Sequence, residues 1–253
     1  MIDSHTHLES CEQSTHELLA NARAAGITRI LTIGLGVESS ERALATAAEY
    51  PEVFAAVGFH PNNNPAITDG ELDRLAELAG NELCKAVGET GLDNFRDTAT
   101  LEDQRPAFLG QIEIARTVGK PLVIHMRGDA TTETLEILRR EAAGLEVILH
   151  CFSIPEQVEE CVAEGWWISF AGHVTYPKNT ELAAAVAKVP ADRLLVETDA
   201  PYLTPQPERK HRNQPAFVTH TAQFVAEQRD LTYAELDTLV TDNAERVFGW
   251  GNG

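Results

Sequence analysis

The chain has 253 residues with 39 acidic and 20 basic side chains, a formal net charge of −19, and 43% hydrophobic residues, the make-up of an ordinary globular protein. That acidity excludes broad electrostatic binding to duplex nucleic acid, which relies on lysine and arginine displacing counterions, but leaves room for a nucleic-acid substrate held at a single end. No apolar run approaches the ~18 residues that cross a bilayer, so no membrane partner is expected.

From the N-terminus, short β-rich apolar runs alternate with polar turns and stretches of helical periodicity. The predicted strands are residues 1–5, 28–34, 53–59, 83–89, 121–126, 146–151, 166–170 and 194–199. Between them, Phe108, Ile112, Ala115 and Val118 share one helical face, as do Leu236, Val240, Ala244 and Val247. Ser14 with Glu17, Thr68 with Glu71, Ser153 with Glu156 and Thr232 with Glu235 have the spacing of capping boxes. Pro121-Leu-Val-Ile124 and Val147-Ile-Leu149 are continuously apolar, as strands buried on both faces are. Eight strand–helix alternations predict an α/β fold, a (β/α)8 TIM barrel, as a single domain over residues 1–253. An open doubly wound sheet is the competitor, but no Gly-rich dinucleotide loop follows the first strand.

Chemistry concentrates where these strands end. His5 and His7 close the first strand and His60 follows the third. Glu89 ends the fourth, His125 the fifth, His150 the sixth and Asp199 the eighth. In a parallel barrel those ends share one rim, where barrel active sites lie. His5-Thr6-His7 has period-two spacing, so both imidazoles project to the same side. An isolated H-x-H is more often a pair of surface histidines; the company of Glu89, His125, His150 and Asp199 favours a metal site. The donors are imidazole and carboxylate without thiolate, which suits one or two divalent ions, Zn, Mn or Mg.

The sequence resembles the TatD family of metal-dependent deoxyribonucleases, within the amidohydrolase-like metal barrels. The matching segments are Asp3-Ser-His-Thr-His-Leu8, Gly58-Phe-His-Pro61, Gly88-Glu-Thr-Gly-Leu-Asp93, Ile124-His125, His150-Cys-Phe-Ser153, Glu197-Thr-Asp-Ala-Pro-Tyr202 and Arg209-Lys-His-Arg-Asn213, in family order over nearly the whole chain. The resemblance implies that His5 and His7 hold a first metal and His125 and His150 a second. It makes Glu89 the bridge, and gives Asp199 the first metal and proton transfer. His60, Arg209 and Arg212 would face substrate phosphates. The implied activity is hydrolysis of DNA phosphodiester bonds, by trimming from a 3′ end, with DNA ends as substrate and no obligate protein partner. Ile154, Thr90 and Lys210 depart from the family pattern without touching a proposed ligand.

Each candidate has a plainer reading. Arg209 to Arg212 could be a solvated loop and His60 a turn cap before Pro61; Asp93 is either a substrate contact or only a brace for the loop that carries Glu89. Cys11, Cys84, Cys151 and Cys161 form no C-x-x-C pair and read as buried, reduced thiols of a cytoplasmic protein, with no signal peptide at Met1-Ile2-Asp3. His16, His173 and His220 read as non-catalytic, and Trp166-Trp167 as barrel packing rather than a base-stacking platform. Two other functions share the pattern. One is hydrolysis of an amide, lactone or ring C–N bond in a small metabolite, where the fourth strand often carries a bridging carbamylated lysine; here it ends in Glu89, and Lys85 lies deeper. The other is a catalytically silent binding barrel.

Overall fold

The computed structural model describes residues 1–63, 67–96 and 98–250. Its eight strands are β1 (Ile2–Thr6), β2 (Arg29–Ile33), β3 (Val53–Val57), β4 (Cys84–Asp93), β5 (Leu122–Arg127), β6 (Val147–Leu149), β7 (Trp167–Phe170) and β8 (Leu194–Val196). They form one sheet in sequence order, with helices between successive strands, the arrangement of a (β/α)8 barrel. The helices are α1 (Thr15–Ala24), α2 (Val37–Glu49), α3 (Asp69–Ala79), α4 (Leu101–Val118), α5 (Ala130–Glu141), α6 (Val158–Ala163), α7 (Thr180–Val186), α8 (Val218–Gln228) and α9 (Tyr233–Phe248). Among the described residues, no helix is long and apolar enough to cross a membrane.

Two compact units make up the chain: residues 32–148, and residues 1–31 together with 149–253. In the first, β3, β4 and β5 run parallel. Gly88 pairs with Val123 and Thr90 with Ile124, so Glu89 is an extra residue on β4. This bulge turns the Glu89 side chain in a way regular pairing could not. It also corrects the predicted end of the strand, because β4 runs on through Asp93. Gly88 and Gly91 flank the bulge at φ +146 and +141, and a Cβ on either would collide with a β5 carbonyl, Val123 O or His125 O. Only glycine fits there.

Helix α4 buries Phe108, Ile112 and Ala115, while Val118 is only half-buried. Two buried amides on the same helix reach the neighbouring backbone. Gln111 donates to Thr90 Oγ1 at 2.7 Å and accepts from Phe59 N at 2.8 Å. Gln104 accepts from Asp93 N and donates to Asp93 O, both at 2.8 Å. Thr90 and Asp93, which bracket Glu89 on its C-terminal side, are therefore fixed by α4.

In the second unit β1 lies against the segment that follows β8. Asp199 N donates to His5 O at 2.9 Å, and His7 N to Ala200 O at 2.8 Å. Helix α9 backs this pair with Leu236, Val240, Ala244 and Val247, all buried. Asn243 on the same helix donates to Leu194 O at 2.8 Å. Strands β6 and β8 stop earlier than predicted, which leaves His150 and Asp199 in the loops just beyond them.

The capping boxes at Ser14, Thr68 and Thr232 form as predicted. That at Ser153 does not, since Pro155 opens a short 3-10 turn instead and Ile154 occupies its cap. A further box, Thr100 with Asp103, uses the shorter acid and so lies outside the Ser/Thr-to-Glu pattern.

Candidate metal centre

In the unit formed by residues 1–31 and 149–253, three side chains aim their ligand atoms at one another. His5 Nε2 is 3.4 Å from His7 Nε2. Asp199 Oδ1 is 3.4 Å from His7 Nε2 and 3.8 Å from His5 Nε2. All three residues are buried. Donors about 2.0–2.1 Å from a tetrahedral zinc ion stand about 3.4 Å apart, so the edges of this triangle match a coordination sphere. Asp199 takes φ +54, a left-handed conformation uncommon outside glycine and asparagine, which directs its carboxylate at the histidines. Burial alone would raise its carboxyl, but the hydrogen bond with His7 and the neighbouring His150, His7 and His5 outweigh it and hold the group below the ordinary range.

His150 stacks flat on His5, with ring centroids 3.8 Å apart and planes 13° apart. Its Nδ1 donates to Glu197 Oε1 at 3.0 Å. That carboxylate is fully buried and also accepts from Cys151 N at 2.7 Å and from the Ser169 hydroxyl. Burial pushes the Glu197 carboxyl up; His150, His5 and Ser169 more than offset this, and it stays ionised. A carboxylate on Nδ1 fixes the tautomer and leaves Nε2 as the basic atom, the usual support of a metal-binding imidazole. Asp3 has a different task. It accepts from Thr198 Oγ1 at 2.6 Å and Thr198 N at 2.8 Å, tying β1 to the loop of Asp199. Burial pushes its carboxyl up to about 8 despite the Thr198 hydrogen bonds.

The unit of residues 32–148 holds a second cluster, His60, Glu89 and His125. His125 Nδ1 is 2.7 Å from Glu89 Oε1, and its Nε2 is 2.9 Å from Asp93 Oδ2. A neutral imidazole donates at only one nitrogen, so carboxylates on both call for added positive charge, either a second ring proton or a cation. His60 Nε2 is 3.8 Å from the same Glu89 oxygen, which groups it with the ligand candidates. Its Nδ1 accepts from Asn62 N at 3.1 Å. Asp93, buried, binds His125 and Asn62 Nδ2 and caps Phe95 N, so it braces this cluster from within.

Both donor sets fit a divalent ion by their chemistry: imidazole nitrogens, buried in the first set and half-buried in the second, and buried carboxylate oxygens, no thiolate, converging within a few ångströms. Glu197, Asp3 and Asp93 were not among the predicted ligands. Their signal in the sequence was faint: each lies two to four residues from a predicted ligand, in the same motifs.

The remaining candidates sit as follows. The Arg209 guanidinium lies 4.4 Å from the Tyr176 ring centre and donates to its hydroxyl at 2.8 Å. Arg212 is largely exposed and pairs with Glu12 at 3.2 Å, beside a cleft of about 560 Å³ that Glu208, His211 and Phe217 also line. Cys84 and Cys161 are buried as predicted, but Cys11 and Cys151 are only half-buried. Cys151 is not on a strand at all; it follows His150 in a turn with φ +48. His173, read as non-catalytic, is buried with Nε2 3.1 Å from Phe152 O. Trp166 and Trp167 are buried, which suits packing. The Lys85 ammonium sits over the Phe54 ring at 5.4 Å, a stacked role rather than a bridging one.

Comparison with known proteins agrees across nearly the whole chain. The sequence model of the TatD-related DNase family matches residues 2–249. A metal-dependent hydrolase, TatD, of Mycobacterium tuberculosis is 39% identical over 262 aligned positions that cover 99% of this chain and 98% of the relative. A 3′-5′ ssDNA/RNA exonuclease, TatD, of Cronobacter sakazakii is 36% identical and covers 92% of this chain and 90% of its own. The crystal structure of YjjV, a TatD homologue from Escherichia coli, superposes with a TM-score of 0.91 at 28% identity, over 98% of each chain.

Proposed function

This chain belongs to the TatD-related DNase family and is a metal-dependent hydrolase, and on that premise we propose that it cleaves phosphodiester bonds of nucleic acids, removing nucleotides from a 3′ end. The observation that carries the reading is the His5, His7 and Asp199 triangle, with its coordination-like edges and its buried, ionised carboxylate. The name of the Cronobacter sakazakii relative supports the choice of nucleic acid as substrate.

In the ligand assignment we propose, His5, His7 and Asp199 would hold one ion, and Glu89, His125 and His150 are the further ligand candidates. Donors of this type favour Zn or Mn and accept Mg. Divalent ions held by such a set would polarise a phosphoryl oxygen and acidify water. The chain's own groups supply the rest. Asp199, ionised and aimed inward, accepts the proton of the attacking water and returns it to the leaving 3′ oxygen. Glu197 keeps His150 in one tautomer through the cycle. Arg209, already oriented by Tyr176, grips phosphate oxygens, with Arg212 contributing once it leaves Glu12. His60 lies close enough to Glu89 to serve as a further ligand or a phosphate contact.

The test is metal analysis of the purified protein, then assays with end-labelled single- and double-stranded DNA, RNA and a generic phosphodiester, with and without Mg or Mn. Stepwise shortening from the 3′ end, abolished by chelation and restored by Mn, is the expected result. Metal-loaded protein that leaves every strand intact while hydrolysing a small amide or lactone refutes it.

A further inference from the structure

Among the described residues, Phe95, Leu109 and Tyr202 are the exposed large hydrophobic side chains. Phe95 has the Arg127 guanidinium on its ring at 3.9 Å, and Leu109 lies on the outer part of helix α4. Tyr202 differs in its position. It follows the ligand candidate Asp199 by three residues, and its ring meets His7 edge-on, centroids 6.2 Å apart and planes 70° apart. Tyr202 is 54% exposed, so much of its side chain is accessible to a ligand.

The backbone beneath this ring is fixed at both ends. Tyr202 N donates to Asp199 O at 2.8 Å. Tyr202 O accepts from the side chain of Asn213, which is wholly buried and donates to Thr198 O at 2.8 Å as well. The same loop thus sets a candidate metal ligand and an exposed aromatic ring at a constant offset. A pre-positioned ring loses little freedom when something stacks on it. Unpaired nucleobases are suited to such a surface, because each has a π-face and stacking does not depend on sequence.

We propose that Tyr202 is the base-stacking residue of this enzyme: its ring packs on an unpaired base next to the phosphate held at His5, His7 and Asp199. This rests on the nucleic-acid reading above. It makes Tyr202 a determinant of specificity for unpaired 3′ ends, with no part in proton transfer.

The experiment compares wild type, Tyr202→Ala and Tyr202→Phe, all full-length and Mn-loaded, on a short oligodeoxythymidylate and on the same strand with its last two nucleosides abasic. For Tyr202→Ala the expected result is a KM about 10-fold higher on the intact strand at unchanged kcat, and no change on the abasic one. Tyr202→Phe retains wild-type values, and metal content is equal in all three. Fluorescence anisotropy with a non-cleavable phosphorothioate strand reads the same loss as weaker binding by Tyr202→Ala. Equal behaviour of Tyr202→Ala and wild type, or equal impairment on both strands, overturns the assignment. If wild type neither cleaves nor binds either strand, the nucleic-acid reading itself fails and the assignment falls with it.

Discussion

His150 can present Nε2 to a cation only while something holds its other nitrogen, and Glu197 does that from a fully buried position. Replacing Glu197 by Gln preserves the shape but weakens the acceptor and frees the tautomer. Losing a carboxylate behind a metal-binding imidazole costs about 10- to 100-fold in metal affinity. Competition titration with a chromogenic chelator should read that loss in Glu197→Gln, with an unchanged far-UV circular dichroism spectrum; unaltered affinity removes Glu197 from the support of the site. Glu89→Ala goes further, deleting a proposed ligand. It is expected to abolish bound metal and hydrolysis while the protein stays folded, and a fully metallated, active variant contradicts the assignment. The ligand candidates stand out in the sequence and the carboxylates that support them do not, for one physical reason. His5, His7, Glu89, His125, His150 and Asp199 stand out because strand ends rich in Val, Ile and Leu give way to ionisable side chains. Glu197 sits among them too, but its importance comes from a partner 47 positions away, and Asp3 owes its role to Thr198. Linear spacing carries no trace of such pairings.

At the scale of elements, the alternation of apolar runs predicted all eight strands, because each strand's hydrophobic run must be buried whatever its neighbours are. Their ends were less accessible. Strand β4 was expected to stop at Glu89, since an acid in an apolar run reads as a terminus. The chain instead absorbs it in a bulge, with Gly88 and Gly91 allowing β5 close approach and the α4 glutamines fixing the next residues. Helix starts are more local and were read better. On α9, the helix behind the His5–Asp199 pair, Thr232 Oγ1 accepts from Glu235 N while Glu235 receives Thr232 N at 2.8 Å. Thr232→Ala is expected to lower unfolding stability by about 1 kcal/mol, read as a reduced urea midpoint at constant slope. The Glu235 half of the box depends on pH. Hydrogen bonds from the Thr232 backbone and then its hydroxyl hold Glu235 below its ordinary 4.5. A lowered carboxyl stabilises the fold when ionised, so its contribution is complete above about pH 4.5 and disappears as pH falls through the lowered value. Urea melts of wild type and Glu235→Gln should therefore differ near pH 7 and converge at low pH; a gap that widens on acidification has the wrong sign for a capping carboxylate.

At the scale of the whole molecule, an enzyme proposed to act on polyanions carries a net charge of −19. Proteins that track a strand along a basic groove lose affinity steeply as salt rises, because each neutralised phosphate releases counterions. Here the cationic contacts proposed are two, Arg209 and Arg212, and Arg212 already faces Glu12. Attraction to the strand must then be short-range, at the metal ligands and the clamped phosphate, while the long-range field repels it. Raising monovalent salt from about 0.01 to 0.1 M shortens the Debye length from about 30 to 10 Å, which screens that repulsion more than it weakens close, partly buried contacts. At fixed divalent concentration, kcat/KM on a single strand should rise, or at most stay level, across this range. The rise should grow with strand length, since each added phosphate adds to the repulsion but makes no further contact. Steady-state rates on a dinucleotide and on progressively longer oligothymidylates measure both trends. A steep fall with salt, deepening with length, would require a basic track along the enzyme, and substrate capture at a single end would then be wrong.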